Sequence, residues 1–244
     1  MSVPLLQADV LSVVTAALST VRDPELDESI VDLGFVRQTS VVDGHAEVRL
    51  RLPTYFCAPN FAYLMVADAY DAVSSVPSIH TTTILLEDHM SSAEINAGVA
   101  SRAGFVGSFG AEATGELDDL RLTFQRKAHT ACLERACQLL IAAGWSVDGL
   151  SSAHLSDLPE SQERSSLLRR RGDIGLSVAE DAALFVDDSG EPVPAEQAPM
   201  RLRFARAVRV SIDGNAHFCR GLLTTRYPEA VADQKPRRTG QEAS

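Results

Sequence analysis

The chain has 244 residues, enough for one large domain or two small ones, and its 45% apolar content allows a buried core. A formal net charge of −11 argues against nucleic-acid binding and against attachment to an anionic membrane. There is no apolar run of about 18 residues that could span a bilayer, no signal-peptide pattern at the start, and only four irregularly spaced cysteines (57, 132, 137 and 219). A cytoplasmic protein with reduced thiols is therefore expected.

Taken in chain order, Asp9 is placed to cap a first helix reaching residue 22, with Val10, Val14, Ala17, Leu18 and Val21 at helical spacing. Asp23-Pro24 stops it, because a residue before proline avoids the helical region. A loop spans residues 25–34, and residues 35–42 read as a strand. Asp43-Gly44 is a two-residue hairpin signal. The returning strand alternates: Ala46, Val48, Leu50 and Leu52 on a packed face, His45, Glu47, Arg49 and Arg51 on a wet one. Pro59 suits the first turn of a second helix running to residue 75, and Pro77 follows as a stop. Residues 79–87 read as a third strand. Ser91 and Glu94 form a capping box for a short third helix ending at Gly104. A helix joining strands two and three implies a parallel, right-handed crossover. The expected fold class is α+β. Residues 1–104 form a two-layer N-terminal domain, a three-stranded mixed sheet with helices in the order α-β-β-α-β-α.

Residues 105–227 are expected to form a mixed α/β C-terminal domain. It opens with a glycine-rich connector at 105–115 and a helix over 117–143, stopped by Gly144. A strand at 145–155 follows, then an exposed polar segment at 156–173 with Arg169, Arg170 and Arg171 in solvent. A turn at Asp188-Ser189-Gly190 and a hairpin of strands 201–212 and 216–225 around Asp213-Gly214-Asn215 complete it. Residues 228–244 are polar and read as a disordered tail.

Cys57 lies between the second strand and the second helix. A thiol beside the unpaired N–H groups of a helix start is favoured as thiolate, the form that binds metals and clusters. A small apolar filler is the competing reading. Asp23-Pro24-Glu25 also reads as a helix stop and turn, Asp32 as a residue bonded to its own loop, and Asp88 and His89 as solvated loop residues. His217 and Cys219, two apart on an expected strand, would project to one side as half of a second iron or zinc site. His129, Cys132 and Cys137 read as helix-packing groups. No Gly-x-Ser-x-Gly turn is present, and residues 104–110 lack the lysine of a phosphate loop. No enzymatic signature emerges.

Three features together resemble the MIP18 family (DUF59) of iron–sulfur cluster assembly domains: Asp23-Pro24-Glu25, the Ile-Val-Asp-Leu-Gly-Phe-Val run at 30–36, and Thr54-Tyr55-Phe56-Cys57-Ala58-Pro59. The resemblance covers about residues 5–104. Ala58, between the cysteine and the proline, departs from the family pattern. The resemblance implies a maturation or accessory factor for iron–sulfur or other iron proteins. Cys57 would be the iron or cluster ligand, and Asp23, Pro24, Glu25, Asp32 and Thr54 its supporting motif. Some members serve general cluster assembly and others accompany multicomponent oxygenases. The implied partner is thus a client iron protein or an oxygenase component, recognised through the C-terminal domain. Cys57 is the only cysteine of the first half, so a permanently bound four-thiolate centre is not expected. A transient cluster or iron would need a second protomer, a client or a small thiol to complete it. A homodimer with the site on its axis would bring two Cys57 thiols together. The competing function is a metal-independent structural chaperone or scaffold subunit of an enzyme complex, in which Cys57 only packs.

Overall fold

The computed structural model describes residues 3–113 and 115–229, with side chains from residue 9 onward. The first helix, α1 (Val3–Thr20), begins earlier than Asp9 and contains it. Val14 and Leu18 on its inner stripe are fully buried, and it packs on the first strand and the second helix. The three strands β1 (Val36–Val42), β2 (His45–Arg51) and β3 (Thr81–Glu87) form one sheet in the order β1-β2-β3. β1 and β2 are antiparallel, with Val42 opposite His45. Between them Asp43 and Gly44 take φ of 50° and 77°, the left-handed pair that matches the twist of a tight hairpin. β2 and β3 are parallel, with Val48 opposite Ile84 and Leu50 opposite Leu86.

Ala46, Val48, Leu50 and Leu52 are all buried, so the packed face of β2 is the one its alternation predicts. The wet face holds for His45 but not for Arg51, which is 2% exposed. α2 (Pro59–Ser74) starts on its proline and buries Ala62, Met65, Val66, Ala69 and Val73. α3 (Ser92–Ala100) buries Ile95 and Val99. The expected capping box at Ser91 is not formed, since no side chain caps this helix. α3 also stops short of Gly104. The expected connector is instead a short helix, α4 (Gly104–Phe109), followed by a 3-10 turn. Phe105 meets Tyr63 edge-on at 5.5 Å and Phe109 at 4.7 Å.

The chain divides into two compact units, residues 1–117 with 216–244, and residues 118–215. The first therefore extends past residue 104 and takes in the last part of the chain. The second unit is α/β-type: α5 (Asp118–Ala142), α6 (Gln162–Asp173) and the beginning of α7 (Ala198–Arg226), with extended chain at the bridges His154–Ala183 and Val186–Pro192. The latter bridge brackets the expected turn at Gly190. Leu133, Leu140, Leu150, Leu155, Leu167 and Phe185 are among its core residues.

Three expectations for the second unit are corrected. Residues 145–155 are not a strand; Asp148–Ser152 is a 3-10 helix. The polar segment folds as α6, whose N-terminus is capped by the Ser161 hydroxyl accepting the Arg164 N–H. Arg171 there is buried, and its guanidinium donates to the carbonyls of Ser177, Ala183 and Leu184. Finally, the expected hairpin at 201–225 is the single 29-residue helix α7. Ala205, Ile212, Ala216 and Leu223 are all buried. Their spacing of seven, four and seven is a helical stripe, and it overrides the turn propensity of Asp213-Gly214-Asn215. Of the tail expected to be disordered, residues 230–244 lie outside the described residues.

Candidate functional site

The parallel strands β2 and β3 end side by side, and the loops leaving them carry the site. Ligands bind characteristically beyond the carboxyl ends of parallel strands. After β2 the chain crosses residues 52–58 into α2, with Cys57 partly buried just before the helix. The Thr54 hydroxyl lies 3.1 Å from the Cys57 sulfur. From the loop after β3, the His89 ring reaches the Cys57 carbonyl at 2.7 Å. The Ser91 N–H donates to His89 Nδ1 at 3.1 Å. Nδ1 is therefore an acceptor, so the ring is neutral there and its hydrogen sits on Nε2, which donates to the Cys57 carbonyl. His89 is 3% exposed, which corrects its reading as a solvated residue. The Met90 N–H donates to the Tyr55 carbonyl at 2.9 Å, a second stitch between the loops. Around this rim Tyr55, Phe56 and Met90 are largely exposed.

The loop of residues 23–34 is organised by Asp23. Its Oδ1 accepts the N–H groups of Glu25 and Leu26, both at 2.8 Å. This lets Pro24 and Glu25 turn the chain while Leu26, Ile30, Leu33 and Phe35 plug the core. Asp23 is buried, and burial pushes its carboxyl up to about 6 against the pull of those two amides, with Glu25 and Glu28 adding to the rise. Asp32 is exposed on this loop.

The end of α7 brings an element that the sequence does not place here. The Arg220 guanidinium pairs with Glu28. Arg226 donates to the carbonyls of Leu52 at 3.2 Å and Asp88 at 2.6 Å. The Tyr227 hydroxyl donates to the Asp88 carboxylate at 3.1 Å. Arg51 lies on the Tyr227 ring at 4.9 Å and pairs with Glu229 at 2.9 Å, which is why this residue of the supposed wet face is buried. Cys219 packs against the same core as Cys57. Its thiol is pushed up to about 11, chiefly by burial and then by the charges of Asp23, Cys57 and Glu25.

This arrangement corrects the expected pairing of His217 with Cys219. On a helix, residues two apart point about 200° from one another, and His217 is exposed while Cys219 turns inward. The structure brings Cys219 to the neighbourhood of Cys57, Asp23 and Glu25 instead. A helical reading of Ala205, Ile212, Ala216 and Leu223 would have put Cys219 near the apolar stripe. Nothing in the sequence signals His89 beyond its place before α3.

Elsewhere, His129 is buried and held down to about 4, and Cys137 is pushed up to about 12, both mainly by burial. Among the described residues no group of three or more His, Cys, Asp or Glu side chains is placed to hold a metal ion. No described helix is long and apolar enough to cross a membrane. The Cys57 sulfur, with the Thr54 hydroxyl on it, is a soft donor of the kind suited to iron–sulfur chemistry.

The model of a family described as iron–sulfur cluster assembly protein matches residues 11–86. An uncharacterized protein of Methanocaldococcus jannaschii is 33% identical over 81 residues, covering 33% of this chain and 83% of that protein. No solved structure matches the chain. The matched stretch holds the Asp23 turn, the 30–36 plug, Thr54 and Cys57; it excludes His89 and α7. Through residues 11–86, the part of the fold that builds the sheet and presents Cys57, the chain belongs to the iron–sulfur cluster assembly protein family.

Proposed function

We propose that the protein is an accessory or maturation factor that takes up iron or an iron–sulfur cluster at Cys57 and delivers it to a client iron enzyme. The observation that carries this reading is the Cys57 thiol itself. It is reachable, it touches the Thr54 hydroxyl, and its backbone is fixed by His89 at the open end of two parallel strands. Thr54 and His89 fix where the sulfur points, and Asp23 shapes the loop across from it. The cluster is cargo: with fewer than four thiolates from this chain, the remaining ligands come from another molecule. Release to the client then proceeds by exchange of one thiolate for another. The exposed Tyr55, Phe56 and Met90 give the rim an apolar patch suited to docking a protein.

The unit of residues 118–215 lies outside the matched stretch. Additional folded mass of this size suits recognition of one dedicated client, and we assign the client to a multicomponent oxygenase. The protein acts in the cytoplasm and as an assembly factor, without catalysis of its own. The test is to co-express an iron-containing oxygenase component with the wild-type chain or with Cys57→Ala, then measure iron in the component and recovery of the complex. The proposal expects iron loading to fall while the complex persists. Iron loading unchanged by Cys57→Ala would establish a metal-independent scaffold in its place.

A further inference from the structure

We propose that the last turn of α7 positions Cys57: Arg226 and Tyr227, acting through Asp88 and His89, hold the loop that carries the thiol in the arrangement that presents it to cargo. This deepens the function proposed above and rests on it. All four positioning residues lie beyond residues 11–86, so the family match supplies none of them.

The ladder between the parallel strands ends where Arg51 lies opposite Glu87. Leu52 and Asp88 are the next residues on the two strands, and from there the loops part. One guanidinium bridges that point: Arg226 donates Nη1 to the Leu52 carbonyl at 3.2 Å and Nη2 to the Asp88 carbonyl at 2.6 Å. It ties the two main chains together just beyond the ladder, with the added strength of a charged donor. Tyr227 grips the same two roots. Its hydroxyl holds the Asp88 carboxylate at 3.1 Å. Its ring meets the guanidinium of Arg51 at 4.9 Å and that of Arg226 at 5.1 Å.

Asp88 takes φ of 50°, in the left-handed region that a side-chain-bearing residue keeps only when its surroundings hold it there. Arg226 and Tyr227 hold both its carbonyl and its carboxylate. The next residue, His89, reaches the Cys57 carbonyl at 2.7 Å, and the Met90 N–H reaches the Tyr55 carbonyl. The contacts run without a break from α7 to the backbone of Cys57. Anchoring the helix does not require them, because Ala216 and Leu223 already bury α7 in the core of the first unit and Arg220 pairs with Glu28. With their roots tied, the two loops move as one body. Their ordering entropy is then lost on folding rather than when cargo binds, which favours binding.

The test uses the full chain as wild type, Arg226→Ala, His89→Ala, the double variant, and Val14→Ala, a core truncation in α1 that serves as the control for lost stability. Each is alkylated with iodoacetamide without metal, and the rate at Cys57 is followed by peptide mapping. Each is then given ferrous iron and sulfide anaerobically, and retained iron is measured. Freeing a loop held by charged or buried hydrogen bonds should speed alkylation about tenfold in Arg226→Ala and in His89→Ala. The double variant should be no faster than the faster single one, because both break the same series of contacts. Val14→Ala should keep the wild-type rate at Cys57 despite a lower denaturation midpoint, and retained iron should fall only in the variants that free the loop. A wild-type rate in Arg226→Ala, an equal rise in Val14→Ala, or full iron retention by a faster-labelled variant overturns the positioning role. No iron retained by the wild type overturns the proposed function instead, while the alkylation rates still decide whether α7 positions Cys57. Should Arg226→Ala fail to fold, Tyr227→Phe removes only the hydroxyl on Asp88. Faster labelling of Cys57 there supports the positioning role, and a wild-type rate overturns it.

Discussion

Replacing Asp23 by asparagine should stabilise the protein at neutral pH, against the usual result for a loop-capping carboxylate. The reason is the balance at this side chain. Two amides favour the charged form, but burial outweighs them and raises the carboxyl from 3.8 to about 6. The native pKa lies above the unfolded one, so folding becomes harder as pH rises from 4 through 6, and the penalty is fully present above 6. At 1.36 kcal/mol per pH unit, the difference corresponds to about 3 kcal/mol at pH 7.5. The asparagine side chain would keep an oxygen for the Glu25 and Leu26 amides and shed the buried charge. Urea denaturation of wild type and Asp23→Asn at pH 7.5 and at pH 4 measures the effect. We expect a gain of about 2–3 kcal/mol at pH 7.5 that vanishes by pH 4, where the native aspartate is itself protonated. Asp23→Ala, which strands both amides, should lose about 2 kcal/mol or more. A less stable Asp23→Asn at pH 7.5 would refute the reasoning, because it would mean that the amides demand the charge. A carboxylate buried at such a cost is the kind of perturbed group that functional sites hold.

Arg226→Ala removes the donors to the Leu52 and Asp88 carbonyls; it should cost about 1–3 kcal/mol and accelerate hydrogen exchange at residues 216–226. His89→Ala leaves the Cys57 carbonyl and the Ser91 N–H without their partner. Alkylation of Cys57 should change rate while the melting of α5 and α6 does not, and an unchanged rate would release His89 from its positioning role. Arg209→Ala removes the cation paired at 2.5 Å with Glu134, which is 1% exposed, and leaves that buried charge only the Gln138 amide as a partner. It should destabilise the unit of residues 118–215 by about 3–5 kcal/mol, read as a lower denaturation midpoint.

The first unit was legible because its signals are local and agree with one another. Pro24, Asp43-Gly44, Pro59 and the alternation of Ala46, Val48, Leu50 and Leu52 each fix one feature, and the sheet follows from their order. The second half misled because its local signals compete. Asp213-Gly214-Asn215 is strong turn chemistry, and only the burial of Ala205, Ile212, Ala216 and Leu223 shows that the helical period wins. Read as a strand, this stretch sets Cys219 beside His217; as a helix it turns Cys219 onto the core of the first unit and His217 outward. Strand alternation puts Arg51 in water, and a run of three arginines puts Arg171 there. In the fold the Tyr227 ring, 176 positions along the chain, receives one, and the carbonyls of Ser177, Ala183 and Leu184, brought back by the turn after α6, receive the other. His89 reads as a solvated loop residue for want of a remote partner, because its bond to the Cys57 carbonyl spans 32 residues.

Cluster uptake by the purified chain bears most directly on the role given to Cys57. Full-length wild type and Cys57→Ala are incubated anaerobically with ferrous iron and sulfide, desalted, and compared by visible absorption and bound iron. The account predicts a sulfur-to-iron absorption with retained iron in the wild type, and loss of both in a Cys57→Ala protein whose circular dichroism is unchanged. Equal iron and absorption in the two proteins, or none in the wild type, would contradict it.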